Sequence, residues 1–316
     1  MKILKTIDKL PGGIILVPML CSALVNTFAP GLLQVGGVTT KLFSTYGTQV
    51  FIGALLFLAG SQLSVKDVGK ALKRGGVLLL GRILIGVLLT ALYMSLWGAE
   101  GVLGIPALAF CIAVLSVNPG VFLAVVNQHG DEIDAPGFGL FNLLSVPTVP
   151  LVVLGVLDGG RFDYMSIITT LFPFFFGMLL GNLDNDMKEL FSGATKPVLF
   201  FAGFNFGAGV DLFAVIGTGA SGIALSLVYI IFGAFALVLI DRLILRRPGY
   251  AAASLSAVAG AAVSMPQIIG EALPQYAPFA ATSTALVACC VVLTTIFNAF
   301  FTKWIIQHSK HNAAVR

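Results

Sequence analysis

The chain has 316 residues, of which 58% are hydrophobic and only 10% charged, with a net charge of +4. A soluble domain of this size carries about 25% charged residues, so the composition excludes an ordinary water-soluble protein. The small positive excess sits in short connecting segments, and no nucleic-acid partner is expected.

Ten apolar runs are read, at residues 11–29, 47–62, 75–97, 102–128, 136–157, 164–181, 197–212, 220–240, 251–270 and 278–304. Runs of about 20 apolar residues can cross roughly 30 Å of hydrocarbon, so the expectation is an all-α membrane protein with ten transmembrane helices. Residues 1–10 are expected to be a retained cytoplasmic lead-in, 11–157 a first five-helix repeat, 158–305 a second repeat and 306–316 a cytoplasmic tail.

Charge placement orients the chain. With the N-terminus inside, 15 cations fall on the inner side: Lys2, Lys5, Lys9, Lys66, Lys70, Lys73, Arg74, Lys188, Lys196, Arg242, Arg246, Arg247, Lys303, Lys310 and Arg316. The outer loops hold Lys41 and Arg161 alone. That asymmetry follows the positive-inside rule. It places both termini in the cytoplasm, which an even number of spans requires.

In chain order, the third span carries Arg82, about two turns from Lys73 and Arg74, close enough to snorkel to the interface. The fourth span breaks at Asn118-Pro119-Gly120, because proline removes a backbone donor and opens the preceding turn. The inner loop that follows holds His129 and the cluster Asp131, Glu132 and Asp134, expected as solvated charge. The fifth span carries Asn142, Ser145 and Thr148 on one helical face. In the sixth, Phe172, Phe174, Phe175 and Phe176 are expected to face lipid. Gln62 and Asn205 are polar positions in the second and seventh spans. The ninth span breaks at Ser264-Met265-Pro266, with Gln267 beside the break and Glu271 five residues beyond Pro266. The tenth begins with Thr282, Ser283 and Thr284. Cys21, Cys111, Cys289 and Cys290 lie in apolar runs without metal-binding spacing, so neither a disulfide nor a metal site is expected.

An offset of 147 residues aligns Gly60 with Gly207, Val68 with Val215, Gly75 with Gly222, Gly86 with Gly233 and Pro119 with Pro266. Five spans per repeat is an odd number, so the second repeat enters the membrane inverted. Inverted repeats with broken helices are the plan of many secondary transporters, whose half-helix ends line the solute site. The broken helices four and nine are expected to cross. The candidate substrate- or ion-binding residues are Asn118, Pro119, Gly120, Asn142, Ser145, Ser264, Met265, Gln267 and Thr284, with Glu271 as the candidate proton carrier. Amides and hydroxyls both donate and accept, which suits a polar solute. Capping of the broken helix, interhelical hydrogen bonding and back-bonding to the preceding turn are the alternatives for these side chains.

At several of these positions the chain resembles the 2-keto-3-deoxygluconate permease family. The resemblance rests on Leu10-Pro11-Gly12-Gly13, Leu16-Val17-Pro18, Thr27-Phe28-Ala29-Pro30-Gly31, Gly181-Asn182-Leu183-Asp184 and Asp211-Leu212. Its longest stretch is Ala259-Gly260-Ala261-Ala262-Val263, with Pro266, Glu271, Pro274, Pro278 and Thr284 in register. The resemblance implies proton-coupled uptake of a sugar-acid anion across the bacterial inner membrane. It also implies a distant relation to bile acid–sodium symporters, with spans 1, 2, 6 and 7 forming a panel domain and spans 3–5 and 8–10 a core. The chain departs from the family at two places. Leu115-Ser116-Val117-Asn118-Pro119-Gly120 stands where the family has Asp-x-Thr-Asn-Gly-Gly. Asn142-Leu143-Leu144-Ser145-Val146-Pro147 stands where it has Ser-x-Glu-Ser-Gly-Pro. Two carboxylates are therefore missing near the expected cavity.

The expected function is secondary active transport, with a small anionic sugar acid and the lipid bilayer as partners and a monomer or homodimer as the assembly. A proton is the first expectation for the coupling ion. Sodium, which needs oxygen ligands but no titrating group, is the second, carrying another organic anion. No cofactor is expected. An enzyme is disfavoured because no GxSxG or HExxH motif appears, and ATP hydrolysis because there is no P-loop spacing. A channel would carry a recognisable charged or carbonyl-rich filter.

Overall fold

The computed structural model describes residues 4, 7, 13–65, 69, 72–129, 134, 137–145, 147–159 and 164–314. Most of the lead-in, Leu10 to Gly12 of the opening motif, Asp131 and Glu132 lie outside the described residues. Among those described the regular secondary structure is helical, apart from one isolated bridge between Val102 and Ile105.

The first half begins with α1 (Gly13–Phe28), a short α2 (Gly37–Phe43) and α3 (Thr48–Gln62). A π-helical turn, Leu72–Gly76, leads into α4 (Val77–Trp97). Then come α5 (Ala107–Leu115), α6 (Pro119–His129), α7 (Gly137–Asn142) and α8 (Thr148–Leu157). The second half begins with α9 (Tyr164–Leu183), α10 (Asn185–Ser192) and α11 (Thr195–Gly207). α12 (Leu212–Val228) runs on through π turns and α13 (Ala236–Leu239) to Ile244. α14 (Tyr250–Leu255), a 3-10 segment (Gly260–Ser264), α15 (Met265–Ala272) and the long α16 (Ala280–Ala314) complete the chain.

Four stretches are long and apolar enough to cross a membrane: Leu72–Trp97, Leu212–Ile244, Tyr250–Ala272 and Pro274–Ser309. A fifth results if the pair Gly37–Phe43 and Thr45–Gln62, bent by 79°, counts as one span. Shorter apolar helices, among them Ala107–Leu123 and Leu171–Leu183, account for other expected runs. The chain is therefore a multi-pass helical membrane protein. The outward face of α4 shows why lipid is its solvent. Leu80, Leu84, Leu88, Leu92 and Leu96 recur every fourth residue, and all are between 57% and 66% exposed. Such a stripe is stable only against an apolar surrounding. Of the sixth-run aromatics, Phe172, Phe175 and Phe176 are exposed in the same way, whereas Phe174 is buried.

One group of helices packs backbone against backbone. α3 lies along α9 and α1 along α11, and α11 also touches α3. A Cβ added to Gly60 would overlap the Phe174 carbonyl, and one on Gly177 or Gly181 would overlap the carbonyls of Phe57 or Ser61. Gly207 meets Met19 in the same manner. Only glycine permits this approach, and close packing of small residues is the main source of helix association in lipid. Asn182 staples the α3–α9 pair, donating to the Leu63 carbonyl at 2.9 Å and accepting from the Val65 amide at 2.8 Å. Asn26 and Thr27 tie the end of α1 to the junction of α11 and α12, through the Val210 carbonyl at 3.1 Å and the Leu212 amide at 2.9 Å.

The second group surrounds α5, whose nine residues are all buried. α4, α12 and α16 flank it, α14 packs on α6, and the 3-10 segment Gly260–Ser264 reaches across to α11 and α1. Three expectations change here. The fifth run is interrupted between α7 and α8 by a 3-10 turn, Leu143–Ser145, ahead of Pro147. The helix of the eighth run starts at Leu212, ahead of the expected residue 220, and bends at Gly219, whose φ of 41° and ψ of −114° are open to glycine alone. The ninth helix stops at Leu255, nine residues before Ser264, so its break spans Ser256 to Ala259. Met265 and Pro266 instead open α15. Proline lacks the N–H that a first helical turn leaves unused, so it starts a half-helix rather than breaking one.

Candidate site at the crossing of two broken helices

α5 ends at Leu115 and α6 starts at Pro119, leaving Ser116 to Asn118 outside regular helix. This break meets the break of the ninth run. The Asn118 amide donates to the Leu255 carbonyl at 3.3 Å. The Ala259 amide donates to Ser116 Oγ at 3.0 Å. Each broken helix therefore supplies partners for backbone groups that the other cannot satisfy internally, as irregular backbone at membrane depth requires.

Other elements serve the crossing. On α16, Asn298 donates to the Ala253 carbonyl at 2.6 Å and to the Ser254 carbonyl at 3.4 Å, and Thr294 Oγ1 accepts from the Val258 amide at 3.0 Å. Both carbonyls belong to the last turn of α14, where the Ala253 carbonyl also accepts from the Ser256 amide at 2.9 Å. Ser145 Oγ donates to the Val117 carbonyl at 3.4 Å, so the fifth run supports the first break. Asn118 Oδ1 accepts from the Val121 amide at 3.2 Å, which is an N-cap on α6.

Arg82 does not snorkel. It is 2% exposed, and its guanidinium turns inward. Nη2 donates to the Ser116 carbonyl at 2.7 Å, and the group lies over the Tyr229 ring, 4.5 Å from the centroid. Tyr229 donates its hydroxyl to the same carbonyl at 3.2 Å. The C-terminal end of α5 carries partial negative charge and a free carbonyl, and the ring face is negative as well. Together they draw the cation inward, away from the interface.

Asp134 also departs from expectation. It is 2% exposed and forms an ion pair with Arg74, which makes two further contacts with Asp241 at 3.2 and 2.9 Å. Tyr250 donates to Asp134 at 2.9 Å. A carboxylate placed next to a buried guanidinium leaves water, and the loop position of Asp134 hid that partner. A narrow pocket lined by Arg74, Gly75, Leu78, Phe122, Asp134, Phe141 and Ala251 lies there.

The match to known proteins is broad. The family model for 2-keto-3-deoxygluconate permease matches residues 4–311. The chain belongs to that family. The permease is 33% identical over 315 residues to 2-keto-3-deoxygluconate permease 1 of Salmonella typhimurium, covering 100% of this chain and 99% of the relative. It is 36% identical to 2-keto-3-deoxygluconate permease of Tolumonas auensis, over 96% and 91% of the two chains. Its identity to the protein of that name from Bacillus subtilis is 32%, over 96% and 94%. Permease activity, rather than enzymatic turnover, is what this membership establishes.

Within the permease, Asn118, Pro119, Gly120 and Ser145 gather at the crossing. Asn142 closes α7; its side chain is outside the described part. Met265 and Pro266 are buried at the start of α15, and Ser264 donates to the Ala261 carbonyl at 2.9 Å. Gln267 and Glu271 are exposed on α15. Thr284 donates to the Ala280 carbonyl at 2.9 Å, one turn back on α16, and Ser283 is buried without a partner. Asn205 and Gln62 lie in the glycine-packed group, bonded to the Leu42 and Lys188 carbonyls. Sequence reasoning missed Ser116, Tyr229, Thr294 and Asn298. One signal was available for Asn298, an amide in the middle of an apolar run.

Proposed function

We propose that this permease is a secondary active transporter of 2-keto-3-deoxygluconate, or a similar sugar-acid anion, working by alternating access in the bacterial inner membrane. The observation that carries the reading is the pair of bonds joining the two breaks, Asn118 to Leu255 and Ala259 to Ser116. Broken helices meeting at membrane depth present half-helix ends to a shared solute site. The names of the relatives supply the substrate class.

An inverted, ten-span plan is the topology that best fits the contacts. Gly60 meets α9 and Gly207 meets α1, as a twofold exchange of spans 1 and 6 and of spans 2 and 7 requires. Gly75 meets Gly137, and Gly222 meets Cys289, which is the same relation for spans 3 and 5 and for spans 8 and 10. The links also sort by side. Arg74–Asp134–Asp241, Gln62–Lys188 and Ser309–Pro248 join segments expected to be cytoplasmic. Gln275–Asp158, Thr27–Leu212 and Ser221–Leu103 join segments expected outside. In this reading the glycine-packed helices are the panel, the crossing belongs to the core, and Ser264 lies where the two groups touch.

A proton is the proposed coupling ion, with Glu271 as its carrier. A sodium-coupled reading is favoured by one feature: among the described residues, the crossing holds carbonyls, hydroxyls and amides beside the Arg82 guanidinium but no carboxylate to carry a proton. Unwound carbonyls and half-helix C-termini suit sodium. Uptake into proteoliposomes, with proton and sodium gradients imposed separately, tests both. Saturable accumulation of 2-keto-3-deoxygluconate under one gradient is expected. Equilibration without accumulation under either gradient ends the secondary-active reading.

A further inference from the structure

We infer that Arg82 is the group that receives the carboxylate of the transported anion, exchanging its contact with the Ser116 carbonyl for the substrate. This rests on the sugar-acid reading above and names the residue that would confer acid selectivity. Arginine stays charged in a protein. Here that charge is 2% exposed, its Nε has no partner, and its contacts are one carbonyl and one ring. Among the described residues no carboxylate lies within ion-pairing distance of it. Arg74, the other deeply buried arginine, has two. A guanidinium with five donors and no anion is underneutralised in a low-dielectric interior. Its fork matches a carboxylate through two parallel bonds.

The surroundings fit that exchange. Ser116 belongs to the first break and bonds Ala259 of the second, so the guanidinium is one residue from both. The N-terminus of α6 opens just beyond, at Pro119, and adds partial positive charge. The Ser116 carbonyl has two donors, Arg82 and the Tyr229 hydroxyl. When the guanidinium turns to a carboxylate, Tyr229 keeps that carbonyl satisfied. Tyr229 is thus a positioning residue.

The test compares binding of 2-keto-3-deoxygluconate and of its neutral C1 carboxamide to full-length protein in nanodiscs. The wild type is expected to prefer the acid by about tenfold or more, the scale of a charge-assisted bidentate contact. Arg82→Gln, which can still donate to Ser116, should bring the two ligands within about twofold. Arg82→Lys should keep the preference at weaker affinity, because the fork is lost. Tyr229→Phe should weaken acid binding and leave carboxamide binding unchanged. A folded Arg82→Gln with wild-type preference overturns the inference. If Arg82→Gln does not fold, Arg82→Lys with wild-type affinity and preference overturns it equally. Wild-type protein that binds acid and carboxamide alike removes the role of Arg82 and leaves the transporter reading standing. Wild-type protein that binds neither ends 2-keto-3-deoxygluconate as the substrate and overturns the inference drawn on it.

Discussion

The glycine-packed helices α1, α3, α9 and α11 and the crossing around α5, α6, α14 and α15 solve opposite problems. In the first group the helices stay continuous, α1 and α9 even through Pro18 and Pro173, so stability comes from how closely two smooth surfaces approach, and Gly60, Gly177, Gly181 and Gly207 set that distance. At the crossing the backbone is deliberately interrupted, and side chains from α4, α16 and the fifth run replace the lost internal bonds. Shape holds the first region, and polar groups matched one to one hold the second. Substitutions should therefore abolish folding in one region, and in the other change transport at modest loss of stability.

The largest effect is expected from Gly60→Leu. Its side chain would have to occupy the Phe174 backbone, a strain of more than about 3 kcal/mol. No monodisperse protein should be recovered in detergent, while Gly53→Ala, with open space around it, should behave as wild type. Next is Arg74→Ala, which strands two buried carboxylates and should lower stability by about 3–5 kcal/mol, read as a fall in Tm. Asn298→Ala takes the side-chain donor from the Ser254 carbonyl and leaves the Ala253 carbonyl with the Ser256 amide alone, and should lower stability by about 1–3 kcal/mol, with uptake reduced. Asn118→Ala removes the α6 cap, worth about 1 kcal/mol, yet should reduce uptake by about tenfold at normal membrane level. Unchanged uptake at wild-type affinity would take Asn118 out of the site. The smallest structural effect belongs to Glu271→Gln. This residue is exposed, so stability should stay within about 0.5 kcal/mol. Its proton-driven accumulation should lose pH dependence, and retained dependence would reject Glu271 as the carrier.

The comparison also explains which features the sequence disclosed. Pro119 and Pro266, read from the sequence as helix breaks, stand at the starts of two half-helices, because the missing N–H of proline is a local property that a first turn tolerates. The site of the ninth break was misjudged for the same reason. Ser256 to Ala259 carry no proline, and their interruption is sustained by Thr294, Asn298 and Ser116, 36, 45 and 143 residues away from their partners. Arg82 and Asp134 were misread through their chain neighbours. Their burial depends on Ser116, Tyr229 and Arg74, which only folding brings to them.

Hydropathy determined by itself that this protein lives in lipid as helices, since each residue's preference for hydrocarbon adds up along the chain. Proline position likewise set where two half-helices begin, and the motifs set the family. Tertiary structure alone decided which buried charges find partners and which helix ends meet. A carbonyl or cation withdrawn from water is stabilised by whatever group stands within about 3 Å, and no run of sequence specifies that group.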